Sequence, residues 1–564
     1  MRKNLSILLT LGIASLALAC NRNEPLPPAV PQLVKETVEA QTLPASVRDQ
    51  KERVRAWEEM RGFYQKRQFQ PAWSGPKGPL PQAGELIQAL GALAAEGIDP
   101  SRYQLAELEA LSRGVAEIAK EESFDDPQAQ RRLVDLDVEL TYAFLTAASH
   151  LATGRLQPEK LRVDWYAKPR NVDLDARLEQ ALTQEGAIAA ALRGLTPPHE
   201  DYARLRQALR RHREIAARGG WPAVPPGEDL EEGARGGRVR ALRARLGLPA
   251  QADAFDPAVT AAVRRFQQRH GLEVTGTVDE ETLAELNVPV ADRIRQIQVN
   301  LERWRWMPAT LGERYIAVNI PEFRLDLVEP DGRTAMTMRV VVGKEQSRTP
   351  AFSDQMTYLE LNPAWNLPSS IANEEVLPKL ASNPGYLASQ DMEVVRGWGD
   401  GEEVVDASSV DWSQLGKEYR LRQRPGAANP LGKVKFMFPN EFDVYLHDTP
   451  ADHLFSRTER DFSHGCIRLE KPIELAEYLL RDDPKWTPEA IRAAIDSGAH
   501  DTIKLPRPIA VHLLYWTAWV EKDGTVQFRK DVYGHDARLE EALAEEPPLR
   551  LNPAAVRGEV RAAR

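Results

Sequence analysis

The chain has 564 residues, 42% of them hydrophobic and 28% charged, a globular composition that excludes a disordered, collagenous or disulfide-dense protein. At roughly 100–200 residues per domain it is too long for one core, so several domains are expected. Lys and Arg number 73 against 83 Asp and Glu, a net charge of -10 with the two signs interspersed, which argues against nucleic-acid binding.

Arg2 and Lys3 precede an almost uncharged run, Leu5 to Ala19, too short to span a bilayer and shaped like the apolar region of a signal peptide. It ends Ala17-Leu18-Ala19-Cys20. The small residues at 17 and 19 suit leader cleavage after residue 19. The same stretch resembles a bacterial lipobox, in which the cysteine becomes the acylated N-terminus. Lipidation of Cys20, with anchoring to a membrane, is expected ahead of plain secretion. Asn21 follows, not Asp, which by that resemblance favours the outer membrane and a periplasmic protein. Residues 20–46 carry Pro25, Pro27, Pro28, Pro31 and Pro44 and read as an extended tether. Cys466 is the second of two cysteines; with Cys20 removed or acylated it has no disulfide partner.

Residues 47–227 are helical by period, as in Leu133, Leu136, Asp137, Leu140 and Phe144. Breaks fall at Gly97 to Pro100, at Gly154 with Pro158, and at Pro197-Pro198. The stretch reads as a helical scaffold without catalytic residues. Residues 228–289 form a smaller unit. Val239, Leu242 and Leu246 mark one helix. Asp256-Pro257 opens a second, whose stripe Val259, Ala262, Val263 and Phe266 ends at Gly271. Asp279 caps a third through Leu283 and Leu286. With Phe255, Gln267, His270-Gly271-Leu272, Thr275-Gly276 and Thr282, this order resembles the three-helix peptidoglycan-binding module; the plainer alternative is a generic helical hairpin. The resemblance implies binding of peptidoglycan glycan.

From about residue 312 the period changes to two. Strands are predicted over Tyr315–Ile320, Phe323–Val328 and Met338–Val342, with a turn at Asp331-Gly332, and near 356–361, 443–447, 466–469 and 511–519. Leu475, Ala476, Leu479 and Leu480 share one helix face. The fold class is therefore multidomain α+β: helical scaffold, three-helix module, and a β-rich domain over 312–535. Residues 366–438 are too long for a simple connection and are expected to form a capping insertion. The tail, 540–564, has little core potential and is expected to be poorly ordered.

The chemistry concentrates in Tyr445-Leu446-His447-Asp448 and Ser463-His464-Gly465-Cys466-Ile467-Arg468. A thiol is a weak nucleophile until an imidazole takes its proton. His464 is two residues from Cys466. His447 ends an apolar strand that, lying beside Cys466, would place the imidazole directly across from the sulfur. Gly465 lets the backbone turn sharply. The N–H groups of Gly465 and Cys466 are candidates for an oxyanion site, and Arg468 for a substrate carboxylate.

This pattern resembles the catalytic signature of the L,D-transpeptidases of the YkuD type, and the wider chain resembles their large murein subfamily. Supporting pieces are Phe69-Gln70-Pro71-Ala72-Trp73, Asn319-Ile320-Pro321, Thr349-Pro350, Asn362-Pro363-Ala364-Trp365-Asn366, Arg422-Gln423-Arg424-Pro425-Gly426, Asn429-Pro430-Leu431-Gly432 and Phe438-Pro439-Asn440. Pro430 departs from the small residue expected there. The resemblance implies Cys466 as acylated nucleophile and His447 as its base, oriented by a nearby backbone carbonyl, with that of Asp448 the candidate. It implies Ser463, His464, Gly465 and Arg468 on the substrate and oxyanion side, with Tyr445 adding a hydroxyl. Arg422 and Arg424 are candidates for stem carboxylates, the alternative being a solvated basic pair. The implied reaction needs no cofactor and no metal. A tetrapeptide stem is attacked after its third residue, D-Ala leaves, and an amine of a neighbouring stem resolves the thioester into a 3→3 cross-link. Carbapenems are implied as inhibitors.

Competing readings are hydrolysis of the same thioester by water (an L,D-carboxypeptidase), attachment of an outer-membrane lipoprotein to the wall, and a non-catalytic wall-binding scaffold. The last leaves the Cys466 cluster unexplained. A sortase-like chain needs no Ser-His-Gly before its cysteine, and a papain-like or NlpC-type chain places Cys before His. His447, His464 and Cys466 as zinc ligands lack a fourth partner at suggestive spacing.

Overall fold

The computed structural model describes residues 25–39, 51–121, 124–166 and 170–545. Four hydrophobic clusters organise it: a scaffold core, a small module core, the core of a strand-rich domain, and one inside its insertion. Among the described residues no helix is long and apolar enough to cross a membrane. The signal run and Cys20 lie outside the described residues.

The scaffold begins with α1 (Ala29–Val38), packs α2 (Lys51–Lys66) beside it, and centres on α3 (Pro127–Thr153). α1 corrects the expectation of an extended tether across 20–46. Pro28 and Pro31 fall at its cap and first turn, where a missing N–H costs nothing. Val30, Val34 and Val38 then share one buried face against the scaffold. α3 starts where the Asp126 carboxylate accepts the N–H groups of Gln128 and Ala129. Leu133, Leu136, Leu140 and Phe144 are fully buried, and so is Asp137. Its carboxylate accepts the N–H groups of Ala72 and Trp73 at 2.7 and 2.8 Å and the Tyr64 hydroxyl at 2.7 Å. Burial pushes Asp137 up to about 6. The Pro71-Ala72-Trp73 motif is thus a loop tied by its backbone to the central helix.

α4 (Glu200–Ala217), expected within the scaffold, joins the other core. Its buried Tyr202, Leu205 and Leu209 belong to one cluster with Ile297 and Leu301, from a helix entering the strand-rich domain. The strand β1 (Trp165–Tyr166), also expected in the scaffold, pairs with that domain's sheet. After α4 the chain builds the module from α5 (Gly237–Arg245), α6 (Pro257–His270) and α7 (Glu280–Leu286). Asp256 caps α6 on the Val259 N–H at 3.0 Å, and Gly271 ends it at φ +69°. α8 (Val290–Arg305) then runs into the strand-rich domain.

Its strands are β2 (Tyr315–Asn319), β3 (Arg324–Val328), β4 (Thr334–Gly343), β5 (Ala351–Leu361), β6 (Val434–Met437), β7 (Leu446–His447), β8 (Asp461–Ser463), β9 (Ile467–Leu469) and β10 (Asp501–Leu514). The order is β6-β7-β9-β4-β3-β2-β10-β5, and β6 also pairs with β5, so the sheet closes on itself. Alternation drives this: Ile316, Val318, Leu325 and Leu327 are fully buried between more exposed neighbours. β1 extends β5 at one end, and β8 pairs with β4. The insertion carries a separate four-stranded sheet and the Ser369–Ser382 helical run. β6 belongs to the closed sheet, so the insertion ends before Val434 and not at 438. After β10 come the hairpin strands β11 (Ala518–Val520) and β12 (Val526–Phe528) and then α9 (His535–Glu545). α9 corrects the tail expected from 540. Leu539 is fully buried, and Arg102 and Arg155 both donate to the Leu543 carbonyl. Residues 546–564 lie outside the described residues.

Candidate active site

β7 and β9 are neighbouring parallel strands, with Leu446 paired to Ile467 and His447 to Arg468. One residue back, the Tyr445 carbonyl accepts the Ile467 N–H at 3.1 Å. Leu446 and Ile467 are fully buried in the core. By strand alternation Tyr445, His447, Cys466 and Arg468 therefore share the opposite face. The expectation of His447 directly across from Cys466 is corrected by one diagonal step: Tyr445 is across from Cys466, and His447 lies two residues along. With 4.8 Å between strands and 3.3 Å per residue, the two Cα atoms are about 8 Å apart, within reach of an imidazole and a thiol turned toward one another.

His447 is 5% exposed. Its Nδ1–H donates to the Asp448 carbonyl at 2.5 Å, leaving Nε2 as the free lone pair. Burial, then the Arg468 guanidinium and more weakly Lys435, hold the ring at about 3, so it is neutral and able to accept a proton. Lys435 stands beside His447 on β6 and pairs with Glu360 at 3.8 Å. Cys466 is half-buried. Burial pushes its thiol up, while the Tyr445 backbone N–H and hydroxyl pull it back. The sulfur also points to the Asp443 carbonyl at 3.8 Å, presented by a residue at φ +54°. The resting pair is thus a neutral thiol and a neutral imidazole.

The loop before the thiol is held by backbone contacts. Ser463 is 2% exposed; its hydroxyl accepts the Gly465 N–H at 3.1 Å and donates to the Cys466 carbonyl at 2.5 Å. This corrects two expectations. Ser463 braces the turn and does not line the groove, and the Gly465 N–H is already used. The Cys466 N–H has no partner among the described residues. Gly465 sits at φ +117°, which only glycine adopts without strain. Its carbonyl accepts the Thr349 hydroxyl at 2.7 Å, and the same Thr349 oxygen accepts the Gly343 N–H.

His464 turns to the insertion, where Nε2 meets Glu375 at 2.8 Å. Glu375 lies in the π-helical turn Ala372–Val376, a geometry that re-aims side chains at sites of function. The Arg422 guanidinium is taken up by its own sheet, whereas Arg424 is mostly exposed and engages only its Nε. Both pair with Glu393, and Arg422 also with Glu402, within the insertion's own sheet. Arg468 has no carboxylate partner among the described residues, and its Nε is buried without a hydrogen bond. Thr349, Asp443, Glu375 and Lys435 were not singled out as site residues by sequence reasoning. Thr349 alone carried a signal, as part of a motif pair.

A groove of about 1110 Å³ runs past Cys466 and Gly465. One wall is the insertion, at Leu367 and Trp398; the other includes Tyr166 of β1, whose ring packs on Phe442 at 4.4 Å. The half-buried Cys466 thiol thus lines a groove open to an extended ligand.

Residues 58–209 match the family described as "Scaffold domain", 237–286 the "Putative peptidoglycan binding domain", and 313–488 the "L,D-transpeptidase catalytic domain". The chain is 34% identical over 247 residues to a "Putative L,D-transpeptidase" of Haemophilus influenzae, covering 43% of this chain and 49% of that protein. It thus spans about half the length of that relative. An L,D-transpeptidase from Mycobacterium smegmatis shares 16% identity over 35% of this chain and 58% of its own, at a TM-score of 0.17. One from Stackebrandtia nassauensis shares 13% over 52% and 96%, at 0.20. Likenesses this slight bear no weight.

Proposed function

We propose, for a chain that carries an L,D-transpeptidase catalytic domain with a scaffold and a peptidoglycan-binding domain, that Cys466 forms 3→3 cross-links in peptidoglycan through a thioester. The shared face of His447 and Cys466 beside an open groove is the observation that carries the reading. Nε2 of His447 takes the thiol proton as sulfur attacks the carbonyl of the third stem residue. The Cys466 N–H and the Tyr445 hydroxyl stabilise the oxyanion. The C–N bond to D-Ala breaks, His447 returns the proton to the leaving amine, and the thioester remains. An acceptor amine then attacks it, loses its proton to His447, and the thiol is restored. Peptidoglycan stems are donor and acceptor, so the chain acts outside the cytoplasm; acylation of Cys20 would tether it there.

The test is to incubate the full chain with disaccharide-tetrapeptide and follow it by mass spectrometry. Loss of D-Ala, an adduct on Cys466 and dimers are expected. Tripeptide without dimers replaces transpeptidation by hydrolysis, and no D-Ala release with an unmodified Cys466 overturns the reading.

A further inference from the structure

A second cleft, of about 810 Å³, opens where the C-terminal end of α4, the three-helix module and the β11–β12 hairpin meet. It shares no lining residue with the Cys466 groove. The module is fastened here: His270 stacks on Phe266 at 3.8 Å and on Phe528 of β12 at 5.7 Å.

Five arginines line this cleft, Arg211, Arg218, Arg245, Arg269 and Arg293, against a single carboxylate, Asp523. Asp523 is committed to its own hairpin turn, accepting the Thr525 N–H at 2.8 Å. Arg293 is paired with Glu285. Among the described residues the other four have no carboxylate within ion-pair distance. Arg245 lies over the Trp221 ring at 4.3 Å and donates Nε to the Leu286 carbonyl at 2.6 Å, which leaves its two terminal nitrogens free to serve a ligand. Nε of Arg269 is buried without any hydrogen-bond partner. Burial, then repulsion from Arg269 and Arg293, brings Arg245 down to about 10. Arg293 is buried and Arg245 and Arg269 half-buried, and like charges crowded where water is partly excluded are unfavourable unless an anion joins them. The neighbouring cleft is less one-sided: there Glu322 pairs with both Arg324 and Arg529, and Arg339 pairs with Glu470.

Between the guanidinium groups the walls are apolar, from Ile215, Trp221 and Val526. A bare inorganic anion would use only half of such a surface. We propose that this cleft is a second, non-catalytic site for a carboxylate-bearing peptide, and that its occupant is a stem of the wall polymer. The acidic-peptide chemistry comes from the cleft itself; the identity of the polymer rests on the function proposed above.

The experiment is co-sedimentation of the full chain with purified peptidoglycan sacculi, beside D-Ala release from soluble disaccharide-tetrapeptide. The double variant Arg245→Gln, Arg269→Gln is expected to bind sacculi about tenfold more weakly, the loss of roughly one charge-assisted pair, with D-Ala release unchanged. Arg211→Glu with Arg218→Glu, two exposed side chains outside the packed core, is expected to weaken binding in the same direction without affecting folding. Sacculi stripped of stems by an amidase should bind the wild type as weakly as intact sacculi bind the variants. Undiminished binding by both variants, or equal binding of stripped and intact sacculi, overturns the proposal. Binding that follows this pattern without any D-Ala release leaves the cleft standing and removes the catalytic reading; the reverse pattern does the opposite.

Discussion

His447 and Arg468 are register partners on adjacent parallel strands, and the guanidinium of one stands beside the imidazole of the other with no carboxylate between them. Arg468 therefore acts on the charge state of the His447 ring. With burial, it keeps His447 unprotonated far below the usual histidine range, so the Nε2 lone pair is present throughout mildly acidic conditions. D-Ala release per enzyme, followed from about pH 4 to pH 8, is expected to show no inflection near 6.5. In Arg468→Gln the stronger of the two positive charges acting on the ring is gone while burial remains. The acid limb should move upward from about 3 but stay below the free-histidine value. A wild-type break near 6.5 would remove His447 as the titrating base, and an unmoved limb in the variant would remove Arg468 as its modulator. His447→Ala should lower acylation of Cys466 by about 10²–10⁴, the usual worth of a general base.

Ser463 satisfies two backbone groups at once, so its hydroxyl is worth more than one hydrogen bond. Ser463→Ala strands the Gly465 N–H inside the loop and removes a donor from the Cys466 carbonyl. The expected cost is about 1–3 kcal/mol, read as a lower midpoint of the catalytic domain's unfolding transition, together with a drop in acylation rate. Gly465→Ala tests the same loop by another route. A Cβ there meets the Arg348 carbonyl at an ordinary 3.6 Å, so space is not the obstacle; the backbone at φ +117° is. About 1–3 kcal/mol of strain is expected, and the loop should relieve it by turning the Cys466 N–H out of place. Acylation should then fall further than stability. Equal loss in both variants would mean that the turn carries stability alone.

The contiguous part of this site was legible because residues 463–468 fix one another within a single turn. The two-residue spacing of Tyr445 from His447, and of Cys466 from Arg468, already placed each pair on one strand face. What spacing could not give was the register between those strands, which shifted the imidazole from beside the thiol to a diagonal. Nor could it give contacts that run through backbone atoms: the Asp443 carbonyl at the sulfur, or Thr349 holding Gly465 from more than a hundred residues away. Side-chain identity says little about such partners. Arg422 shows the opposite case, and Arg424 only in part, since its terminal nitrogens stay exposed. Their type suits a carboxylate ligand, but Glu393, brought alongside by strand pairing, reaches them first. In α1 the prolines outweighed a legible signal, since Val30, Val34 and Val38 repeat at helical spacing.

Buried neutral histidines also set how the protein responds to acid. Burial is the main cause in each case: His447 is held at about 3 and His535 at about 2, with His512 lowered as well. An unfolded chain binds a proton at each near pH 6.5, and the folded chain does not. Stability is therefore fully present above 6.5 and declines as pH falls below it, because the unfolded state takes up more protons. Between pH 7.5 and 6 each strongly displaced histidine costs about 0.8 kcal/mol by this linkage, so His447 and His535 together cost the catalytic domain about 1.5 kcal/mol. Carboxylates pushed up by burial pull the other way. They act only once pH has dropped below their raised values, and Asp137, the one raised to about 6, lies in the scaffold. Urea unfolding of the catalytic domain's transition should show this decline between pH 7.5 and 6, and His535→Gln should remove about half of it. A transition whose midpoint is level across that range would mean that these imidazoles take up protons while still folded, and with that the neutral resting state of His447 would be lost.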